Sequence, residues 1–257
     1  MLNGRFTLEE TISFENSRGD LLSGVLHLPK IAPARAAVIL CHGMESTKNS
    51  GKLVFLGEAL AARGVLALRF DFSYVGESSG RFEDLTCSGE VEDLRAAYEF
   101  VQTRHSGKIA IFGSSLGGTV ALLFAAREPD VAALVTLAAP AHPENFPRRI
   151  LTAAQLKEWR CNGFIIHNGQ RLNVSLLDDL EKIDVPAAAR EIRCPVLILH
   201  GDADLVVPLA DARELYECLP GSARLSMLPG GDHRLSDPAL MRRALGEAQE
   251  WLIEHGK

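Results

Sequence analysis

Absences narrow the chemistry of this chain before any motif is considered. Five cysteines in 257 residues are an odd number, and no two of them stand in a C-x-x-C pair. That removes the usual zinc and dithiol signatures. Cys41, Cys87, Cys161, Cys194 and Cys218 are expected as reduced thiols, mostly in the core, with Cys41 and Cys194 in or beside apolar runs. No cluster of Lys and Arg makes a basic stripe, and a net charge of −6 argues against a nucleic-acid partner. No uninterrupted apolar stretch reaches the ~18 residues of a bilayer span, and the first residues, MLNGRFTLEE, are not a basic segment followed by an apolar one. The expectation is no membrane span and a cytoplasmic location. Internal repeats and low-complexity segments are also missing.

What is present suits a sizeable core, with 47% hydrophobic and 23% charged residues. Six apolar runs recur, AVIL at 37–40, VLAL at 65–68, IAIF at 109–112, ALVTLA at 133–138, VLIL at 196–199 and ARLSML at 223–228. Most are continuous rather than alternating, as strands covered on both faces of a parallel sheet are. Helical patterns lie between them. SGEVEDLRAAYEFV puts Val91, Leu94, Tyr98 and Val101 on one face behind Ser88 as N-cap, and SDPALMRRALGEAQEWL offers Asp237 as cap with Pro238 in the first turn. Alternating strands and helices predict a doubly wound α/β fold in one domain.

Two segments depart from that rhythm. RFTLEETISF alternates, with Phe6, Leu8, Ile12 and Phe14 on one face, and continues through the turn NSRGD into LLSGVLHLP, which predicts an antiparallel hairpin at the sheet edge. From about Pro140 to Ala189 some fifty residues separate two buried strands, far more than the ~2–6 of an ordinary loop. This stretch holds a helical pattern, TAAQLKEW, a hairpin, FIIHNGQRLNV, turning at Asn168-Gly169, and an acidic SLLDDLEKID. It is expected to form a small cap over the carboxyl edge of the sheet.

The chemistry concentrates around IAIFGSSLGGTVALLFAA. Gly113-Ser114-Ser115-Leu116-Gly117 fits G-x-S-x-G, with an apolar strand before it and a helix after it. In that setting the central serine stands in a tight turn, exposed for attack, and the helix N-terminus directs free N–H groups at charge developing beside it. A serine nucleophile needs a base, and the base needs an orienting carboxylate, in the chain order Ser, acid, His. His255 ends the chain, His142 and His167 lie in the expected cap, and His200 ends a strand. His233, in LPGGDHRLSD after the last strand, stands in the right place. The loop HGDADLVVP supplies Asp202 and Asp204 as alternatives for the acid. All these candidates follow strands of one parallel sheet, where such sheets carry their sites.

These residues resemble the α/β-hydrolase superfamily over essentially the whole chain, through LCHGM at 40–44, RFDFSYVGESSG at 69–80, GSSLGG at 113–118, CPVLILHGDADLVVP at 194–208 and GGDH at 230–233. The resemblance implies Ser115 as nucleophile, Asp204 rather than Asp202 as acid, His233 as base, and the backbone N–H groups of Met44 and Leu116 as oxyanion donors. It assigns His42 to loop shaping, and it implies no metal and no cofactor. Within the superfamily the chain looks most like small bacterial cinnamoyl and feruloyl esterases and the monoacylglycerol lipase and serine aminopeptidase-like group. The expected reaction is hydrolysis of a small-molecule ester through an acyl-enzyme. A peptidase, a thioesterase, or a ligand-binding receptor on the same scaffold are the alternatives, while a dehalogenase would want a carboxylate at 115. Trp159, Phe164, Ile165 and Ile166, with the loop around Tyr74, are expected to wall the substrate pocket.

Overall fold

Chain order in the computed structural model, which describes residues 8–30 and 33–256, begins with the expected hairpin, β1 (Leu8–Glu15) and β2 (Leu21–Leu28). Ile12 and Phe14 are buried, Leu8 is exposed, and Phe6 lies outside the described residues. Asn16 holds the turn by accepting from the Arg18 and Asp20 N–H groups, and it donates to Asp93 at 2.7 Å. There follow β3 (Ala36–Cys41), α1 (Gly51–Ala62), β4 (Val65–Phe70), α2 (Cys87–Arg104), β5 (Ile109–Ser114), α3 (Leu116–Ala125) and β6 (Val131–Leu137). The α2 N-cap is Thr86, not Ser88, because the Thr86 side chain accepts from the Gly89 N–H and starts the helix earlier.

The stretch after β6 contains α4 (Phe146–Ile150), α5 (Ala153–Asn162), the hairpin β7 (Phe164–His167) and β8 (Gln170–Asn173), α6 (Val174–Leu180) and α7 (Val185–Glu191). Thr152 and Gln155 make a capping box on α5, and Asn168 and Gly169 turn the hairpin with φ of 49° and 77°. The helix α7 packs on the body, so the boundary expected at 189 falls within the helix layer of the sheet. β9 (Val196–Gly201), α8 (Leu209–Cys218), β10 (Ala223–Leu228) and α9 (Pro238–His255) complete the fold. Asp237 caps α9 through the Ala239 N–H.

The eight-stranded sheet runs β1-β2-β4-β3-β5-β6-β9-β10. β2 is antiparallel to both neighbours, and every pair from β4 to β10 is parallel. Strand alternation explains the two-layered core. In β3, Val38 and Leu40 face a cluster with Leu56, Leu60, Leu245 and Leu252 of α1 and α9. Ile39 and Cys41 face the opposite cluster, with Leu94, Val120, Ala189 and Leu215 of α2, α3, α7 and α8. Continuous apolar strands are therefore required, since both faces are covered. The carboxyl ends of β3, β5, β6, β9 and β10 open toward one edge. Among the described residues no helix is long and apolar enough to cross a membrane.

Candidate active site

Ser115 joins β5 to α3 with φ 54° and ψ −125°, a backbone state that a side-chain-bearing residue holds only when its surroundings impose it. Its N–H donates to the Leu137 carbonyl and its own carbonyl accepts from the Gly118 N–H, each at 2.8 Å. The flanking glycines make the tight crossing feasible. A Cβ on Gly113 would strike the Gly117 carbonyl, and one on Gly117 would strike the carbonyl of His42. A Cβ on Gly43 would stand 3.1 Å from that of Ser115, so the chain from Gly43 to Met44 runs directly beside the serine.

The Ser115 Oγ is 3.1 Å from His233 Nε2, and His233 Nδ1 is 2.7 Å from Asp204 Oδ2. A carboxylate only accepts, so Nδ1 donates to Asp204 and leaves Nε2 facing the hydroxyl. Asp204 is held in turn, its Oδ1 accepting from the N–H groups of Val206 and Val207 at 2.8 and 2.9 Å. Burial raises the Asp204 pKa, but the hydrogen bonds from His233 and the two amides outweigh it and hold the carboxyl below its ordinary value. Asp202 does different work. Its Oδ1 accepts from the Gly230 N–H at 2.6 Å, stitching the loop after β9 to the loop that carries His233.

His42 is buried and spans the loop after β3. Its Nδ1 lies 2.8 Å from the Gly43 carbonyl, and its Nε2 accepts from the Phe72 N–H at 3.1 Å. Burial lowers its pKa, which keeps the ring neutral and suits those two roles. The same loop is tied down by Asp71, whose carboxylate accepts from the Lys48 N–H and pairs with the buried Lys48 ammonium. Around Ser115 opens a cavity of about 760 Å³ that Met44, Leu116 and His233 line. Among the described residues no group of three His, Cys, Asp or Glu side chains is placed to hold a metal ion.

Residues 32–184, more than half of the chain, match the serine aminopeptidase S33 family of hydrolases. The chain belongs to that family, within the α/β-hydrolase superfamily. It is 23% identical to a monoacylglycerol lipase of Mycolicibacterium smegmatis, with 86% of this chain and 89% of that protein aligned. It is 26% identical to the mitochondrial palmitoyl-protein thioesterase ABHD10 of Mus musculus over 82% and 75% of the two chains. The structure of Est1E from Butyrivibrio proteoclasticus with ferulic acid bound superposes with a TM-score of 0.86 at 24% identity, covering 95% and 98% of the two chains, which speaks to the fold.

In this S33-family hydrolase Ser115, His233 and Asp204 come together, and Met44 and Leu116 lie at the nucleophile. The expected pocket wall is different from the observed one. Trp159 is only 2% exposed and packs in the main core, because it is the one buried side chain of the otherwise polar α5 and docks that helix. Ile165 lies against the same packing, beside Trp159 and Leu172. The Phe164 ring is covered by the Arg171 guanidinium at 4.0 Å, and Ile166 is exposed. Tyr74 sits under Arg18 and against Gly80, in the loop after β4 and off the cavity. The apolar lining is instead built by Phe146, Leu176, Leu180 and Val206, together with Pro140 and Pro143. Leu176 and Leu180 stand four residues apart on α6, so helical spacing inside the acidic segment was the available signal. His200, set aside as a strand-end residue, lies buried behind the acid, its Nε2 3.5 Å from Asp204 Oδ2 and 2.9 Å from the Val207 carbonyl.

Proposed function

We propose that this hydrolase cleaves carboxylic esters by a serine acyl-enzyme route, and the observation that carries the reading is the Ser115–His233–Asp204 relay of 3.1 and 2.7 Å at the mouth of an apolar cavity. His233 Nε2 takes the Ser115 proton as Oγ attacks the carbonyl carbon. Asp204 steadies the imidazolium that forms. The N–H groups of Leu116 and Met44 receive the carbonyl oxygen as it becomes an oxyanion, where each donor is worth ~2.7–4 kcal/mol. Collapse expels the alcohol, which leaves with the proton from His233. Water, deprotonated by the same ring, then attacks the acyl-enzyme and frees the acid and Ser115. The segment from Pro140 to Leu180 acts as a cap that supplies the acyl wall. Five free cysteines, with Cys161 exposed, support a reducing cytoplasm as the place of action.

A thioester reading runs on the same residues and has the support of the thioesterase relative. An aminopeptidase would want a free carboxylate for the substrate's ammonium, but Glu45 accepts from Asn168 at 2.9 Å and Asp232 accepts from the Ser236 N–H at 2.8 Å. Matched 4-nitrophenyl butyrate, butyryl thioester and aminoacyl 4-nitroanilide substrates test this. Turnover of the ester or thioester at enzyme-like rates, lost in Ser115→Ala, is expected. Turnover of the anilide alone would reverse the order of readings, and binding without turnover would favour a receptor.

A further inference from the structure

Charges around the cavity are mostly matched. Arg149 donates to the Val206 carbonyl at 3.1 Å and stands 3.7 Å from Asp211, and His167 stands 3.7 Å from Glu45. Lys52 and Arg234, which also line the cavity, are not matched. Among the described residues neither has a carboxylate within 4.0 Å, and the Lys52 ammonium has the Ser114 hydroxyl at 3.3 Å as its hydrogen-bond partner.

The position of Lys52 costs stability. It is partly buried in the first turn of α1, where the helix dipole already presents positive charge and a cation is disfavoured. Burial lowers its pKa, the Arg234 guanidinium lowers it further, and only Asp232 opposes them. A partly dehydrated ammonium without a counter-ion is stabilised when a ligand brings one. Its partner Ser114 is the residue before the nucleophile, so the positive charge lies close to the reacting centre.

We infer that Lys52 and Arg234 receive a carboxylate carried by the substrate, on its acyl chain or its leaving group, so that the preferred esters are anionic. This rests on the serine-hydrolase reading and narrows its substrate class. The test uses two matched pairs, mono-4-nitrophenyl adipate against 4-nitrophenyl hexanoate for the acyl side, and 3-acetoxybenzoate against phenyl acetate for the leaving side. At least one anionic ester should exceed its neutral partner by ~10–100-fold in kcat/KM, as charge-assisted hydrogen bonds allow. The gain should sit mainly in KM. It should fall by about tenfold or more in Lys52→Gln, recover in Lys52→Arg, and shrink in Arg234→Gln, whose exposed position leaves folding intact. Equal rates within each pair, or a preference that survives both Gln substitutions, would overturn the inference. If no ester is turned over, the hydrolase reading has failed, and calorimetry of Ser115→Ala with methyl hydrogen adipate and methyl hexanoate decides separately. Tighter binding of the adipate that is lost on Lys52→Gln supports the carboxylate site, and equal binding rejects it.

Discussion

A carboxylate that orients an imidazole must itself be held, and Asp204 is fixed by two amides on one oxygen while the other meets His233. Asp204→Asn keeps the shape but offers His233 the wrong hydrogen-bond pattern, and kcat should drop by about 10³–10⁴-fold. Asp202→Asn keeps an acceptor for Gly230 and should cost less than about tenfold; comparable losses in steady-state assays of the two variants would deny Asp204 its role. Because the folded pKa of Asp204 is depressed, its contribution to stability is present above the ordinary value near 3.8 and is lost as pH falls through the folded value. Asp71 makes a different demand. Removing it in Asp71→Ala leaves the buried Lys48 ammonium with Glu77 as its remaining carboxylate and should lower stability by ~1–3 kcal/mol, measurable by urea titration, with loss of ester turnover as the loop bearing Met44 loosens.

Among the elements, α5 and α6 divide the labour of the inserted segment. Trp159 of α5 is packing, so Trp159→Ala should cost ~3–5 kcal/mol in stability and leave the ranking of acyl chain lengths as it was. Leu176 of α6 faces the cavity, and Leu176→Ala should lower kcat/KM for hexanoyl relative to acetyl esters by about tenfold or more. A reversed pattern in a chain-length series would return the wall to α5. His142 braces the entry to the segment, its Nε2 2.8 Å from Glu214 of α8 and its Nδ1 3.1 Å from Glu144. The Glu214 hydrogen bond leads in raising its pKa, against partial burial. The brace is therefore complete below the unfolded value near 6.5 and is lost as pH rises through the folded value. Glu214→Gln should flatten the Tm profile between pH 6 and 8, by no more than about 1 kcal/mol equivalent, since solvent screens the pair.

On the scale of the whole molecule, the central strands and the order of the candidate catalytic loops were legible because burial on both faces forces continuous apolar runs, as in Ala36–Cys41, and because Ser115 and Asp204 follow such runs while His233 follows the half-buried edge strand β10. The pocket wall was not legible. Whether Trp159 faces a cavity or the core depends on what lies beneath α5, and no local pattern encodes that. The Lys48–Asp71 pair and the unmatched Lys52 depend on contacts between loops far apart in the chain. The sheet also carries a pH sensitivity that composition does not reveal. His27 is buried on β2 and accepts from the Arg69 Nε at 2.9 Å; burial first and Arg69 second lower its pKa to about 4, with Glu9 opposing. The unfolded chain takes up that proton near 6.5, so stability should fall by on the order of 2–3 kcal/mol as pH drops from 6.5 to 4 and level off below. His27→Gln, which keeps an acceptor for Arg69, should remove that part of the slope in denaturant titrations. The central claim, that Ser115 is a nucleophile activated by His233, is tested most directly by treating the protein with a fluorophosphonate and locating the adduct by peptide mass spectrometry. One adduct on Ser115, absent in Ser115→Ala and formed far more slowly in His233→Gln, is the predicted result; an adduct on any other residue, or none on a protein that turns over esters, would contradict it.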